Sequence, residues 1–163
     1  MEIEVKIRAL MMDPNSGTPI IILKDVNSET MLPIWVGAYE ANAIALEIEK
    51  IAPPRPMTHD LLRNLIVELG LTVDRVVVTS LRDNTFYAVI EMSGADGESM
   101  RLDSRPSDAI ALALRADCPI FVDSEVIQAS KNSVSEDEGA ESESGTGEEE
   151  WPDVIGDASD LPM

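Results

Sequence analysis

Residues 103–115 read DSRPSDAIALALR, and within them Ala109-Ile110-Ala111-Leu112 repeats Ala43-Ile44-Ala45-Leu46 at an offset of 66 residues. The same offset carries the β-branched run 20–23 onto residues 86–89 and the run 32–36 onto residues 98–102. It also carries Thr58, placed to cap a helix, onto Ser124. A period that holds across strands, helix and cap marks a duplicated supersecondary unit. The expected fold class is therefore α+β: two β-β-β-α-α units, about residues 2–64 and 68–130, around one core. Their helices pack on a mixed or antiparallel sheet.

Local patterns fill in the units. Ile3, Val5, Ile7 and Ala9 alternate with Glu2, Glu4, Lys6 and Arg8, the period of a strand with one dry and one wet face. Turn residues at 11–18 and 25–29 separate this strand from runs 19–24 and 30–36, and Pro33 in the last run points to an edge or a bulge. After Gly37, Ala41, Ile44, Ala45, Ile48 and Ile51 recur at helical spacing. A second helix, capped by Thr58 and stopped by Gly70, turns Leu61, Leu62, Leu65, Ile66 and Leu69 to the core. The second meander covers residues 71–80, 85–92 and 99–103, with Asp96-Gly97 in its last turn. Ser104 caps the next helix, Pro106 fits its first turn, and residues 109–114 are apolar on every side, so this helix is central. Residues 119–122, PIFV, form a short strand or extended link before a last helix over 124–129. The Pro33 strand and the charged first strand are candidate sheet edges, which favours a homo-oligomer, most simply a dimer.

Charge narrows the function. The 163 residues carry a net −19, of which residues 131–163 contribute one basic and eleven acidic side chains. A body this acidic repels nucleic acid over most of its surface, so any contact with it requires a local arginine cluster, a metal ion, or both. Residues 131–163 are rich in Glu, Ser and Gly and lack periodicity, which predicts a disordered acidic tail with one apolar island, WPDVI at 151–155, open to a protein partner. Cys118 is the sole cysteine and reads as a buried small apolar residue. With no continuous apolar run at the N-terminus, the expectation is a cytoplasmic protein without a membrane contact.

The chemistry-bearing residues fall in two groups. Arg55 precedes Pro56 and is held in a stiff turn, with Thr58, His59 and Asp60 directly after it in a chain that has no other histidine. Asp103, Arg105, Ser107 and Asp108 surround the start of the central helix, and Glu40 stands at the start of its earlier counterpart.

These residues carry a resemblance. LPIWVG at 32–37 with Glu40, PPRPMTHDLL at 53–62, and SRPSDAIALALR at 104–115 followed by PIFV at 119–122 resemble the bifunctional nuclease domain family over residues 1–130. The resemblance implies an α+β fold and degradation of both RNA and DNA. It carries over the motif positions Arg55, Thr58, His59, Asp60, Arg105, Ser107 and Asp108, and it does not reach the tail.

Phosphodiester hydrolysis requires an activated water, neutralisation of phosphoryl charge and a proton for the leaving oxygen. The expected catalytic residues are His59, Asp60 and Asp108, with Arg55, Arg105, Thr58 and Ser107 on substrate phosphate. Asp60, Asp103, Asp108 and Glu40 are the candidate ligands for Mg2+ or Mn2+, and no organic cofactor is expected. The alternative is a non-catalytic interaction or regulatory module whose Arg and Asp residues form structural ion pairs. A third reading, a small anion at the helix starts near Thr58 and Ser104, is weakened by the Asp at each start.

Overall fold

Alternating apolar residues decide the sheet. Ile21 and Leu23 turn to one face and are fully buried, while Ile20 and Ile22 turn to the other, where they form a small cluster with Met11. The computed structural model describes residues 1–137. The chain runs β1 (Glu2–Met12), β2 (Pro19–Asp25), β3 (Met31–Trp35), α1 (Ala38–Ile48), α2 (Thr58–Glu68), then β4 (Thr72–Arg82), β5 (Thr85–Ser93), β6 (Ser99–Ser104), α3 (Pro106–Ala116), β7 (Ile120–Asp123) and α4 (Ser124–Asp137). The α+β class is as the sequence indicated. β2 and β5 start at residues 19 and 85, and α2 and α4 at residues 58 and 124, both at the offset read from the sequence.

Each half builds an antiparallel meander, β1-β2-β3 and β4-β5-β6. Asp83 and Asn84 join β4 to β5, both at positive φ as a two-residue hairpin loop requires. The short stretch 120–123 then does what its length does not advertise: β7 pairs antiparallel with β1 and parallel with β4, welding both meanders into one seven-stranded sheet, β3-β2-β1-β7-β4-β5-β6. β3, with its proline, is an outer strand as expected, but the charged β1 is interior, and the second edge is β6. Charge misled here because β1 wets one face rather than one flank. On that wet face Arg75 reaches both Glu2 and Glu91 and lies 5.0 Å over the Phe121 ring, so Glu2 at the start of β1 is tied through it to β4, β5 and β7.

One core joins the sheet to the helices, with Val5, Ile21, Ile34, Val76, Val78 and Ile90 meeting Ile44, Ile110, Leu112 and Val126. α3 packs against α1, α2 and the second meander, which explains its all-round apolarity. Two expectations for the other helices fail. Ile51 lies beyond the end of α1 and is exposed; α2 buries only Ile66, leaving Leu61, Leu65 and Leu69 in the open, because it rests on α3 alone with a glancing contact to β4. The caps also shift by one residue: Met57 and Arg105 are the N-caps of α2 and α3, which puts Thr58 at the first helical position and leaves Ser104 at the end of β6.

α4 continues through Asp137, so residues 131–137, assigned to the tail from composition, extend this helix. The remainder of the acidic stretch, with WPDVI, lies outside the described residues. Cys118 is half-buried against the core, and burial pushes its thiol up to about 11. Among the described residues no helix is long and apolar enough to cross a membrane.

Candidate active site

Three helices begin side by side, and each places a carboxylate at its third position: Glu40 in α1, Asp60 in α2 and Asp108 in α3. This is the favoured place for a negative charge, near the unpaired N–H groups and the positive end of the helix dipole. Asp60 shows the local reason most directly, since its Oδ2 accepts the backbone N–H of Met57 at 2.9 Å and fixes the start of α2. Glu40 folds back over Gly37, so closely that a Cβ at residue 37 would stand 2.3 Å from its Oε2. A side chain at residue 37 would therefore displace the Glu40 carboxylate.

Two arginines of α3 and its cap knit the three starts together. Arg105 donates from Nη2 to Glu40 Oε1 at 2.6 Å and from Nε to Asp108 Oδ2 at 2.9 Å, and these bonds, that to Glu40 first, raise its pKa. The other oxygen of Asp108 lies 2.8 Å from His59 Nε2. A continuous chain Glu40–Arg105–Asp108–His59 thus crosses from α1 through α3 to α2. With the carboxylate on Nε2, the proton of a neutral ring sits there and Nδ1 is the basic nitrogen. The His59 side chain is 12% exposed and that of Asp108 28%, whereas that of Arg105 is 65% exposed. The chain is therefore wet only at Arg105, between a Glu40 that is 15% exposed and the nearly dry His59.

Beneath it lies a second, closed group. Arg115, 4% exposed, donates to Asp60 Oδ1 at 2.8 Å, to the Ala111 carbonyl at 2.9 Å and to the Ala43 carbonyl at 3.0 Å. Burial acts to raise the Asp60 pKa, but the Met57 N–H, the Arg115 hydrogen bond and charge, and His59 outweigh it and hold the carboxyl below its ordinary value.

A cavity of about 600 Å3 opens on the first group. His59, Arg105 and Asp108 stand on its wall, Ile90 and Leu62 give it apolar surface, and Tyr39, 90% exposed, lies at its rim. The Ser104 hydroxyl, also at this wall, is buried without a hydrogen-bond partner among the described residues. A concave site that pairs an apolar wall with a few convergent polar groups is the ordinary form of a small-ligand or substrate site.

Of the residues singled out from sequence, Glu40, Thr58, His59, Asp103, Arg105 and Asp108 line this cavity. Arg55, Asp60 and Ser107 do not: Arg55 is exposed on its turn without a polar partner among the described residues, Asp60 is committed to Arg115, and Ser107 is buried in α3. The four expected metal ligands do not form one cage. Among the described residues no group of three or more His, Cys, Asp or Glu stands ready to hold a metal, and Arg105 fills the space between Glu40 and Asp108 that a cation would take. Arg115, Tyr39 and Leu102, all lining the cavity, were not foreseen. For Arg115 a signal existed, because a cation ending a helix that is apolar on all sides must find a buried partner.

The bifunctional nuclease domain model matches residues 21–135. The chain belongs to the bifunctional nuclease domain family. An uncharacterized protein of Mycobacterium tuberculosis is 39% identical over 124 residues, covering 76% of this chain and 73% of that protein. Bifunctional nuclease 1 of Oryza sativa subsp. japonica is 28% identical over 118 residues, 71% of this chain and 36% of its own length. Bifunctional nuclease 2 of the same plant is 31% identical over 107 residues, 64% of this chain and 33% of its own. The matched stretch is thus about a third of each of these plant relatives.

Proposed function

We propose that this chain is a nuclease hydrolysing phosphodiester bonds of RNA and DNA, with the cavity at the three helix starts as its active site. The observation that carries the reading is the His59–Asp108–Arg105 chain on the cavity wall; family membership and the names of the plant relatives support the substrate class. Arg105 receives a phosphate oxygen and takes up the negative charge that develops on phosphorus. His59 Nδ1 carries the proton that leaves the attacking oxygen, and Asp108 holds both the ring and the guanidinium in place. Mg2+ or Mn2+ enters only as a variable of the assay, since Arg105 already supplies a cation between the carboxylates.

The second reading, a non-catalytic module with structural Arg and Asp pairs, draws on Arg115 and Asp60, a closed and fully engaged pair. Arg105, exposed over an open cavity, is the observation that favours chemistry.

The test is cleavage of RNA and DNA by the purified chain in EDTA and across a metal series, with His59→Ala, Asp108→Ala and Arg105→Lys beside it. Loss of a positioned proton carrier lowers the rate by about 10^2 to 10^4. Activity in EDTA belongs to the side chains alone, whereas activity that needs the ion brings Glu40, Asp103 and Asp108 back as ligands. Undiminished cleavage by both His59→Ala and Asp108→Ala removes the assignment.

A further inference from the structure

The cavity at the three helix starts is recessed, and this limits what can be cut there. The His59 side chain is 12% exposed and that of Asp108 28%, so a phosphodiester has to enter the concavity to come within reach of Nδ1. At about 600 Å3 the cavity has the size of a small-ligand site, which admits a nucleotide but not the width of a paired helix. In a duplex the bases are stacked inside and show only their edges in the grooves, and each backbone is held to a stiff cylinder. An unpaired nucleotide has no such tie.

The lining suits a base as well as a phosphate. Met57, Leu62 and Leu102 give the wall an apolar surface that a charged sugar–phosphate backbone does not match. The face of a base does match it, and Tyr39, 90% exposed at the rim, offers a ring on which a base stacks. The Ser104 hydroxyl adds a polar point to this wall: among the described residues it is the one buried side-chain oxygen or nitrogen without a hydrogen bond. Groups of this kind are met by water or by a bound molecule, and a hydroxyl, donor and acceptor at once, suits the polar edge of any base. Charge points the same way. A duplex is gripped through many phosphates, whereas this chain carries −19 and its cavity has one exposed arginine, already paired with Glu40 and Asp108.

We infer that, on the nuclease reading of this cavity, the substrate is single-stranded: one unpaired nucleotide of RNA or DNA enters, with its phosphate on Arg105 and its base between Tyr39 and the apolar wall, edge toward Ser104. Paired nucleic acid is taken only where a nucleotide stands out of the stack, at a bulge, a loop or a frayed end.

The full chain is tested on one labelled sequence in three forms: the free strand, the perfect duplex, and the duplex with one bulged nucleotide, each as RNA and as DNA. Affinity is read by fluorescence anisotropy and cleavage on denaturing gels. The free strand is cut about 100-fold faster than the duplex, which has to unstack first, and the bulged form is cut at the bulge. Tyr39→Ala raises Kd and KM for the free strand about tenfold with kcat nearly unchanged, and Tyr39→Phe restores both, since the ring does the stacking. Free strand and duplex bound and cut equally overturn this inference and leave the nuclease reading standing. Preferential binding of the free strand without cleavage does the reverse. Binding of the free strand that is indifferent to Tyr39→Ala overturns the base site, and a chain that binds none of the three forms overturns both.

Discussion

Arg115→Met is the most demanding perturbation of the framework beneath the cavity. The wild-type guanidinium is 4% exposed and serves Asp60 and two carbonyls on different helices. Removing one partner of a buried pair costs about 3–5 kcal/mol, because the other charge is left without compensation. Asp60 keeps 22% exposure and the Met57 N–H, which partly relieves it, so the expected loss is at the lower end, about 3 kcal/mol. For a domain of this size that is roughly a 10 °C drop in Tm. Arg115→Lys keeps the charge but loses the planar fork that reaches three acceptors, and about half the loss is expected. Urea melts followed by circular dichroism measure both. The double variant Arg115→Met with Asp60→Asn no longer strands a charge, so it should recover about 1 kcal/mol or more relative to simple addition. A loss under about 1 kcal/mol for Arg115→Met, or strict additivity in the double variant, refutes the reasoning.

Three further outcomes are expected. The Asp60 carboxyl titrates lower in the folded chain than unfolded, so its stabilisation is complete above the unfolded value of about 3.9 and is lost as pH falls through the folded value. Asp60→Asn should weaken the protein at pH 7 and flatten the acid limb of its stability profile, and an unaltered limb contradicts the linkage. Gly37→Ala pushes Glu40 off its place and loosens Arg105, at a cost of about 1 kcal/mol that shrinks when Glu40 is already alanine; an equal cost in both backgrounds disproves the crowding. Cys118, its thiol pushed up to about 11, should react with iodoacetamide at pH 8 far more slowly than a free cysteine, and a rate equal to that of the free thiol would show that its burial is transient.

The offset of 66 residues was legible because burial demands alternation in strands and helical spacing in helices, and Ile44 and Ile110 are both fully buried in helices. The role of β7 was not legible. Four residues carry no register information, and which strand they join depends on where the chain is delivered by α3. The surface of α2 misled for a related reason: Leu61, Leu65 and Leu69 have the spacing of a core face, yet a helix can bury only what the neighbouring elements cover. At the site, Asp108 and His59 were legible as chemistry-bearing residues but not as partners, since 49 positions separate them. Asp60, named from sequence as a catalytic and metal candidate beside His59, turns to Arg115 instead of the cavity, because successive residues on a helix point about 100° apart.

Charge balance links the site to the composition. Arg105 is already neutralised by Glu40 and Asp108, and the chain as a whole carries −19. Under the proposed function a phosphate does not find a bare cation; it reaches Nη1, which has no partner among the described residues, and competes with a carboxylate for the rest of the fork. Such an exchange adds little net charge and releases few counterions from the nucleic acid. A protein that grips a backbone through many Lys and Arg contacts loses affinity steeply with salt, whereas one phosphate on one arginine gives a slope of about −1 in log K against log salt. The acidic surface and the paired arginine are then consistent with each other: selection of the substrate falls to the cavity, where Tyr39 and the apolar wall meet it at short range, and long-range attraction has no part in it.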